Sequence, residues 1–543
     1  MARSVAHAVG AALAEAGVDH VFGVIGSGNL VVTNAMVAAG SRFVAARHEG
    51  GAATMADAFA RVSGRVAAVS VHQGCGLTNA LTGIAEAAKS RTPMVVVSAE
   101  STQPSNNFFV DQDAMARAVG AVPMRVDDAS TAVVRAAEAV RVARDGRRTV
   151  LLNLPLEVQR QAAVDSNASA TIAPAPTATV ADEAVRTVAE ALASAERPII
   201  LAGRGARDVG PEIIDLARRT GALLSVSAVV KGLFADDEFN LDIAGGFATP
   251  AAEQLFADAD LVVSLGCGLR SWTTRGGWLF PQARVVQVDD SCEVLGLHLP
   301  KAEGVLADVP ALVRALLEQA LPEREGYRTA AAREVIASSG RWQDVAFDDL
   351  AGDGLVDPRA LTVALDRMLP RERVIGVDSG NFMGYPTMFL DVPDADGFCF
   401  TQAFQCIGLG LATAIGAALA QPDRLPVAAL GDGGALMGAA ELETVNRLGL
   451  GMLVVVYDDS AYGAEVHHFA PMGEVVDLVE FPDTDIAAIG RGYGLEAVTV
   501  REMADLAAVE AWINGPRTRS MLVDAKIARD GGSWWLEHAF KGH

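Results

Sequence analysis

Short apolar runs alternate with segments of helical periodicity along most of the chain. In the first third, the strand candidates HVFGVIG, RFVAA, RVAAVSV and MVVVSAE are separated by amphipathic segments such as AATMADAFARVSG and LTNALTGIAEAAKSR. The alternation returns in the middle third with PIILAG, LLSVSA, DLVVSLG and RVVQVD, and again from VIGVDSG onwards. Short apolar strands that alternate with helices predict parallel sheets covered by helices on both faces.

Two polar stretches without periodicity divide this pattern. The Thr-, Ala- and Pro-rich passage VDSNASATIAPAPTATVAD predicts a linker near 163–182, and PEREGYRTAAAREVIASSGRWQDVAFDDLAGDG separates the second region from the third. A chain of 543 residues is also too long for one ordinary core. We therefore predict an α/β fold of three consecutive domains with mostly parallel sheets, at 1–165, 183–325 and 350–543.

Composition limits the kinds of partner and the cellular compartment that can be expected. The net charge of −23 argues against a nucleic-acid groove or an anionic membrane surface as the partner. The five cysteines lack CxxC spacing, so neither a zinc site nor a disulfide framework is indicated. The amino terminus lacks the continuous apolar core of a signal peptide, and no run approaches about 20 apolar residues. These features predict a cytoplasmic protein.

Polar side chains follow several of the apolar strand candidates. In open α/β sheets, ligands lie at the carboxyl ends of the strands, so these positions are candidates for a site. A carboxylate in such an apolar neighbourhood is costly unless it meets a cation or hydrogen-bond donors. The residues are Glu49, His72, Asp378, Asp432, Asp458 and Asp459.

The stretch GDGG at 431–434 precedes the helical pattern ALMGAAELETVNRL. Free backbone donors at the start of a helix, with glycines that allow close approach, suit a diphosphate, and a diphosphate brings Mg²⁺ with its preference for oxygen ligands. Asp432 could supply one carboxylate and Asp459, one helix and one strand later, a second. The alternative is a glycine-rich turn with an Asp helix cap.

The order of GDG, helix, strand, two acids and YG resembles the magnesium–diphosphate motif of thiamine diphosphate enzymes. The similarity is to the acetolactate synthase, pyruvate decarboxylase and benzoylformate decarboxylase superfamily, and it extends over the whole chain. VFGVIGSGN and RHEGGAATMADAFARVSG resemble its pyrimidine-binding domain, and FQCIGLGLATAIGAAL the start of its diphosphate-binding domain. One departure from the motif matters, because Asp458 and Asp459 stand where Asn-Asn is usual in the family.

The resemblance implies thiamine diphosphate and Mg²⁺ as cofactors and assigns residues to them. Glu49 would activate the cofactor through its aminopyrimidine, although a helix-capping acid is the alternative for this position. Ile407 would hold the cofactor bent. The cofactor-binding residues would be Gly380, Asn381, Phe382, Gln405, Ile407, Gly431, Asp432, Gly433, Gly434 and Tyr462, and the metal ligands Asp432, Asp459 and the carbonyl of Ala461.

The resemblance also implies which residues would contact the substrate. His72 and Glu465 would move protons on the reacting molecule, because histidine titrates near neutral pH. His467 and His468 are either functional or a structural pair at the rim. Val110 stands where acetolactate synthases carry a Gln, which disfavours strict acetolactate synthesis. The remaining candidates for the substrate pocket are Gly26, Gln73 and Gln112.

The predicted activity is decarboxylation of a 2-oxo acid, followed by protonation or by ligation to an acceptor carbonyl. The alternatives are a lyase of a 2-hydroxy ketone or 2-hydroxyacyl thioester, and a non-catalytic cofactor-binding relative. The middle domain is expected to be structural, with bound FAD as the alternative. Because Glu49 and Asp432 lie in different domains, the resemblance implies a homodimer or homotetramer with the site between subunits. Trp534 and Trp535 either close the site or pack on the surface.

Overall fold

The computed structural model describes residues 3–164, 170–173, 178–529 and 534–536. Its strands form three six-stranded sheets, one after another along the chain, and every pairing between these strands is parallel. The predicted fold class is thereby confirmed. The predicted linker near 163–182 lies partly outside the described residues, as does most of the carboxyl-terminal tail. Within the described ranges, no helix is both long and apolar enough to cross a membrane.

The first sheet has the strand order β2-β1-β3-β4-β6-β5. Its central strands are wholly buried, as expected for parallel strands covered on both faces. The strands are β1 His20–Gly23, β2 Arg42–Ala45, β3 Ala67–Val71, β4 Met94–Glu100, β5 Val122–Arg125 and β6 Thr149–Pro155, and the helices are α1 Val5–Glu15, α2 Leu30–Ala38, α3 Glu49–Ser63, α4 Cys75–Lys89, α5 Gln112–Ala118, α6 Ala132–Gly146 and α7 Leu156–Gln159.

The second sheet has the order β12-β11-β10-β7-β8-β9. Its strands are β7 Pro198–Ala202, β8 Leu223–Val226, β9 Asn240–Ile243, β10 Leu261–Leu265, β11 Arg284–Asp289 and β12 Glu303–Leu306, and the helices are α8 Asp182–Ser194, α9 Gly210–Thr220, α10 Pro250–Ala257, α11 Ser271–Thr274, α12 Val309–Glu318 and α13 Ala330–Ser339. The glycine-rich loops after β7 and β10 lie side by side at the carboxyl edge of this sheet.

The third sheet has the order β14-β13-β15-β16-β18-β17. Its strands are β13 Arg373–Val377, β14 Phe398–Phe400, β15 Leu425–Gly431, β16 Leu453–Asp458, β17 Glu496–Val500 and β18 Met521–Lys526, and the helices are α14 Pro358–Met368, α15 Gly384–Phe389, α16 Gly410–Ala420, α17 Asp432–Met437, α18 Glu441–Leu448, α19 Gly463–Phe469, α20 Ile486–Gly492 and α21 Ala507–Asn514.

Helix α16 joins the first domain to the third. Almost every residue of this helix is buried, and it packs directly on α3. A Cβ at Gly416 would collide with the Met55 carbonyl oxygen, so glycine permits the close approach of the two backbones. One apolar cluster consequently runs through both domains, and a second cluster joins the middle domain to the third.

The segment ALMGAAELETVNRL departs from the single helix that its pattern predicts. Helix α17 begins at Asp432 and ends at Met437, a turn follows, and α18 begins only at Glu441. Gly438 caps the first helix and is a weak helix former, which favours the break. The break leaves the Glu441 carboxylate free to accept the backbone N–H groups of Arg47 and His48, immediately before Glu49 (3.0 and 3.1 Å).

Candidate active site

A cavity of about 620 Å³ lies at the carboxyl edge of the third sheet. Strands β13, β15 and β16 are neighbours there, so the polar residues that follow them come together. Every residue that the sequence predicts for the cofactor or the metal lines this cavity, as does Glu465 on α19. These residues are Gly380, Asn381, Phe382, Gln405, Ile407, Gly431, Asp432, Gly433, Gly434, Asp459, Ala461, Tyr462 and Glu465.

Glycines shape the wall of the cavity where β15 meets α17. The first N–H groups of α17 have no carbonyl partner within the helix, and that of Gly433 is directed at the Asp432 carboxylate. A Cβ at Gly434 would collide with a carboxylate oxygen of Asp378, and a Cβ at Gly463 would collide with a carboxylate oxygen of Asp459. Any larger residue at these two positions would therefore displace an acid of the site.

Carboxylates are concentrated at the ends of β15 and β16. Burial, together with the neighbouring charges of Asp459 and Asp458, raises the pKa of Asp432 to about 8. Burial also raises the pKa of Asp459 to about 6, an effect that Arg529 opposes and Asp458 increases. No ion pair to Asp432 or Asp459 is present in the described part of the chain, so both carboxylates are available to a cation.

Asp458, the acid that replaces the family's first Asn, is neutralised from the adjacent strand. Its side chain is 2% exposed and forms an ion pair with Lys526 Nζ (2.5 Å). Lys526 also contacts Asp483 (2.7 Å) and Asp524 (3.2 Å) and donates to the Thr484 carbonyl (2.8 Å). The Asp458 carboxylate thus belongs to an ion-pair network with a lysine of the protein.

The turn after β16 presents the remaining metal candidates. Ser460 has a positive φ of 54°, and its N–H donates to a carboxylate oxygen of Asp458 (2.9 Å). Arg529 donates to the Asp459 carbonyl (2.9 Å), and Phe481 N–H donates to the Ser460 carbonyl (2.9 Å). With these contacts the turn brings the Asp459 side chain and Ala461 to the cavity.

Two buried acids that the sequence did not single out for this role hold the loop of Gln405 and Ile407. Asp378 accepts the N–H groups of Gly408 (2.9 Å) and Leu409 (3.1 Å), and burial raises its pKa to about 6. Glu86 of the first domain accepts those of Ala403 (3.0 Å) and Phe404 (2.6 Å). Their partners lie thirty or more residues away, beyond the reach of a local pattern.

The donor set of the cavity fits Mg²⁺ and a diphosphate. Two carboxylates without a cation and a backbone carbonyl are hard oxygen ligands of the kind that Mg²⁺ accepts. Asn381 has a buried side-chain oxygen without a partner at the same wall. Within the described ranges, no group of three or more His, Cys, Asp or Glu side chains could hold a metal, so these two acids and the carbonyl remain the candidate.

Glu49 and His72 lie together on the first domain, away from this cavity. A Cβ at Gly76 would lie 3.4 Å from a Glu49 oxygen and 3.1 Å from His72 Cβ. Asn79 donates to Glu49 (3.0 Å), and the His72 ring meets Phe108 edge-on at 4.9 Å. Neither Glu49 nor His72 is among the residues that line the cavity. Within one chain the predicted residues therefore lie in two separate places, the cavity and the Glu49–His72 pair, which we call the two candidate half-sites.

The other candidates for the substrate pocket lie in different parts of the structure. Gly26 and Gln73 adjoin His72, and Gly26 is too close to that ring to carry a Cβ. Gln112 is buried inside the first domain, where its amide donates to Asn153 (2.7 Å) and Ser98 (3.2 Å). His467 and His468 lie on α19 after Glu465 and do not line the cavity.

The first and middle domains and the carboxyl terminus complete the cavity wall, which sequence reasoning did not foresee in detail. The first domain contributes Arg61, Lys89 and Ser90, and Leu536 comes from the carboxyl terminus. The middle domain contributes two cations, Arg204 and Arg270, besides smaller polar and apolar residues. Its lining residues are Arg204, Ser227, Ala228, Val229, Gly266, Cys267, Gly268, Leu269, Arg270, Trp272 and Thr273.

Family models match all three domains of the chain. The thiamine pyrophosphate enzyme N-terminal TPP binding domain matches residues 3–121, the central domain residues 185–316, and the C-terminal TPP binding domain residues 378–525. The two TPP binding domains are those that carry the two half-sites.

Similar proteins extend over nearly the full length. A sulfoacetaldehyde acetyltransferase of Rhodobacter capsulatus is 28% identical, with 95% of this chain and 93% of the relative covered. The probable 2-ketoarginine decarboxylase AruI of Pseudomonas aeruginosa is 29% identical, with 92% and 89% covered. The thiamine diphosphate-dependent 4-hydroxybenzoylformate decarboxylase of Rhodococcus jostii RHA1 superposes with a TM-score of 0.81 at 19% identity, covering 97% of this chain and 100% of that one, which shows a shared fold.

Metal affinity is expected to rise with pH. Mg²⁺ binds the ionised carboxylates, whereas Asp432 with a pKa of about 8 is mostly protonated at pH 6 in the metal-free protein. The apparent Mg²⁺ affinity should therefore be about 100-fold higher at pH 8 than at pH 6. Calorimetry in two buffers of different ionisation enthalpy should show about one proton released per Mg²⁺ at pH 7. An affinity that stays constant from pH 6 to 8 would contradict the raised pKa.

Replacing Lys526 should destabilise the region around the metal turn. Lys526→Met leaves the buried Asp458 carboxylate without its partner, which costs about 3–5 kcal/mol. The local opening free energy is measured by hydrogen exchange of peptides that contain Ser460 and Ile527.

A double-mutant cycle tests whether the charge of Asp458 causes the loss of stability in Lys526→Met. Asp458→Asn should destabilise the wild type but stabilise the Lys526→Met protein. Lys301→Met, which removes a lysine outside this network, should change stability by less than about 0.5 kcal/mol. Equal effects of Asp458→Asn in both backgrounds would show that the pair is not coupled.

Proposed function

The chain belongs to the thiamine pyrophosphate enzyme family, and from this premise we propose that it decarboxylates a 2-oxo acid and then adds a proton or an acceptor carbonyl to the remaining fragment. The observation that carries the proposal is the cavity in which Asp432, Asp459 and Ala461 meet the loop of Ile407 and the side chain of Glu465. Thiamine diphosphate, when bound, would supply the electron sink for the electron pair that remains on the substrate fragment when carbon dioxide leaves.

The residues of the third domain bind and orient the cofactor. Asp432, Asp459 and the Ala461 carbonyl would hold Mg²⁺, and the backbone of Gly431–Gly434 would face the diphosphate. Ile407 would support the bent form of the cofactor, because Asp378 and Glu86 fix its loop from both sides. Such positioning lowers the barrier by removing the entropy of finding the reactive geometry.

The residues of the first domain handle protons. Glu49 would bind the aminopyrimidine and hold the proton whose transfer activates the cofactor. His72 has one ring nitrogen 2.9 Å from the Gln73 carbonyl and the other 3.4 Å from the Ser27 hydroxyl. The first contact orients the ring and would leave the second nitrogen, beside Ser27, for proton transfer. Glu465, on the opposite half-site, would serve the reacting molecule from the cavity side.

A complete site requires two chains in this proposal. Glu49 and His72 are absent from the cavity wall of their own chain, whereas the predicted chemistry needs them at the same cofactor. Large apolar side chains near both half-sites are exposed in the single chain, among them Phe108, Met437 and Phe469. Such exposure is typical of surfaces that a partner covers. We therefore propose a homodimer, or a dimer of dimers, with each site shared between subunits.

Carbon dioxide release tests the proposed reaction. The protein is incubated with a panel of 2-oxo acids, with Mg²⁺ and thiamine diphosphate present or omitted, and the products are identified by mass. Sulfoacetaldehyde is included because a similar protein is named sulfoacetaldehyde acetyltransferase. Cofactor-dependent release from at least one 2-oxo acid is expected, and the product mass distinguishes an aldehyde from a ligation product. Bound cofactor without release from any acid would favour the lyase or the non-catalytic alternative.

Glu49→Gln should retain the cofactor and lose turnover. The amide keeps the size of the side chain but cannot hold the acidic proton, so the rate should fall by about 100-fold or more. Cofactor affinity, measured by calorimetry in the presence of Mg²⁺, should change little. The exposed Glu15→Gln on α1 is the matched control and should leave both quantities unchanged. An unchanged rate in Glu49→Gln would remove Glu49 from its proposed role.

A further inference from the structure

The wall of the cavity has two regions of opposite charge. The third domain contributes the acids Asp432, Asp459 and Glu465. The first and middle domains contribute four cations, which are Arg61, Lys89, Arg204 and Arg270. Four cations around one cavity stand out in a chain whose net charge is −23, and a concave wall of this kind attracts anions.

Arg61 is neutralised within its own domain. Its guanidinium pairs with Asp57 and with Glu86, at 2.7 Å in both cases, and both acids are buried. Asp57 also accepts the Thr92 hydroxyl (2.6 Å), and Glu86 accepts two backbone N–H groups of the loop that leads to Gln405. These two acids are therefore engaged by other partners, and the other three cations remain to be balanced.

Arg204 extends from the loop after β7 to the first domain, where its guanidinium donates to the Ser90 carbonyl. No carboxylate of the described residues forms an ion pair with it. Desolvation in the cavity and the neighbouring charge of Arg61 lower the pKa of Arg204 to about 9. A guanidinium that has lost water and gained only a carbonyl is costly, and a bound anion would offset that cost.

Lys89 and Arg270 line the same cavity without a carboxylate partner. Lys89 lies in the last turn of α4, with its Nζ 5.4 Å from the centre of the Phe404 ring, and Arg270 lies in the loop after β10. Neither forms an ion pair within the described ranges. Phe404 precedes Gln405 and Ile407, so the unpaired cations stand beside the segment that would hold the cofactor.

We infer that Lys89, Arg204 and Arg270 bind a second carboxylate of the reacting molecule, so that the substrate is a 2-oxo acid with an anionic far end. The inference rests on the proposed function, because it concerns the substrate of that reaction. A guanidinium presents its N–H donors in a planar arrangement that matches the two oxygens of a carboxylate. Because the cavity of about 620 Å³ must also hold the cofactor, a short acid fits the remaining space better than a second nucleotide does.

The test compares substrates that differ only in the charge of the far end. The holoenzyme is assayed with 2-oxoglutarate and 2-oxoadipate and with their uncharged terminal amides, and kcat/KM is recorded for each. The wild type should prefer the charged acid of at least one pair by about tenfold or more, and Arg204→Met should remove that preference. Arg204→Lys, which retains the charge, should restore part of it.

Arg270→Met is a second variant, because the Arg270 side chain forms no hydrogen bond within the described ranges and its loss should spare the contacts between domains. It should reduce the same preference. Arg186→Met is the matched control, because it removes an exposed cation of the middle domain, on α8, that does not line the cavity. The control should keep the wild-type preference.

Two kinetic outcomes would overturn the inference. Equal losses of kcat/KM for the charged and uncharged acids in Arg204→Met and Arg270→Met would show that these cations do not recognise the far end. A loss of affinity for thiamine diphosphate in the same variants, measured in the presence of Mg²⁺, would assign the cations to the diphosphate of the cofactor.

A binding experiment separates this inference from the proposed reaction. Glutarate, adipate and their monoamides are titrated by calorimetry into the same proteins with Mg²⁺ and thiamine diphosphate, which requires no turnover. The wild type should bind at least one dicarboxylate more tightly than its monoamide, and Arg204→Met should bind the two equally. Absence of carbon dioxide release from every 2-oxo acid would refute the proposed function alone, whereas equal affinities in the wild type would refute the anion site.

ADP is titrated in the same way to examine a nucleotide as the occupant. The wild type should bind ADP no more tightly than Arg204→Met does. Binding of ADP that depends on Arg204, without binding of either dicarboxylate, would assign the cations to a nucleotide phosphate and overturn the inference.

Discussion

Three carboxylates at the ends of two neighbouring strands are the constraint on which the candidate site depends. Asp432, Asp458 and Asp459 are brought together by the parallel register of β15 and β16, and buried like charges are costly without a cation. The structure assigns a cation to only one of them, because Lys526 neutralises Asp458. The other two keep raised pKa values and remain available to a cation.

The fold places the other candidate catalytic residues, Glu49 and His72, apart from these three carboxylates. The first domain presents Glu49 and His72 at the carboxyl edge of its own sheet, and α16 packs on α3 so that both domains share one core. Within a chain this arrangement leaves Glu49 away from the cavity wall. In the proposed dimer, a second copy would supply Glu49 and His72 to this cavity.

Much of the fold and of the candidate site could be predicted from the sequence, because the sequence patterns that indicate them are local. Alternating apolar strands and helices give three parallel α/β domains, and glycines beside an acid at a strand end give the cofactor cavity. The pairing of Asp458 with Lys526 could not be predicted, since the two residues are 68 positions apart and meet only when β16 and β18 become neighbours. The use of Gln112 inside the first domain and the seating of Trp535 between two domains depend on tertiary contacts in the same way.

Complementation between two inactive variants tests the shared site most directly. Glu49→Gln and Asp432→Asn subunits are co-expressed with different tags, and the mixed dimer is purified through both tags. If each site takes Glu49 from one chain and Asp432 from the other, one of the two sites in the mixed dimer is intact, and about half of the wild-type activity should return. If each site lies within one chain, every site carries a defect, and a mixed dimer as inactive as its parents would contradict the shared site.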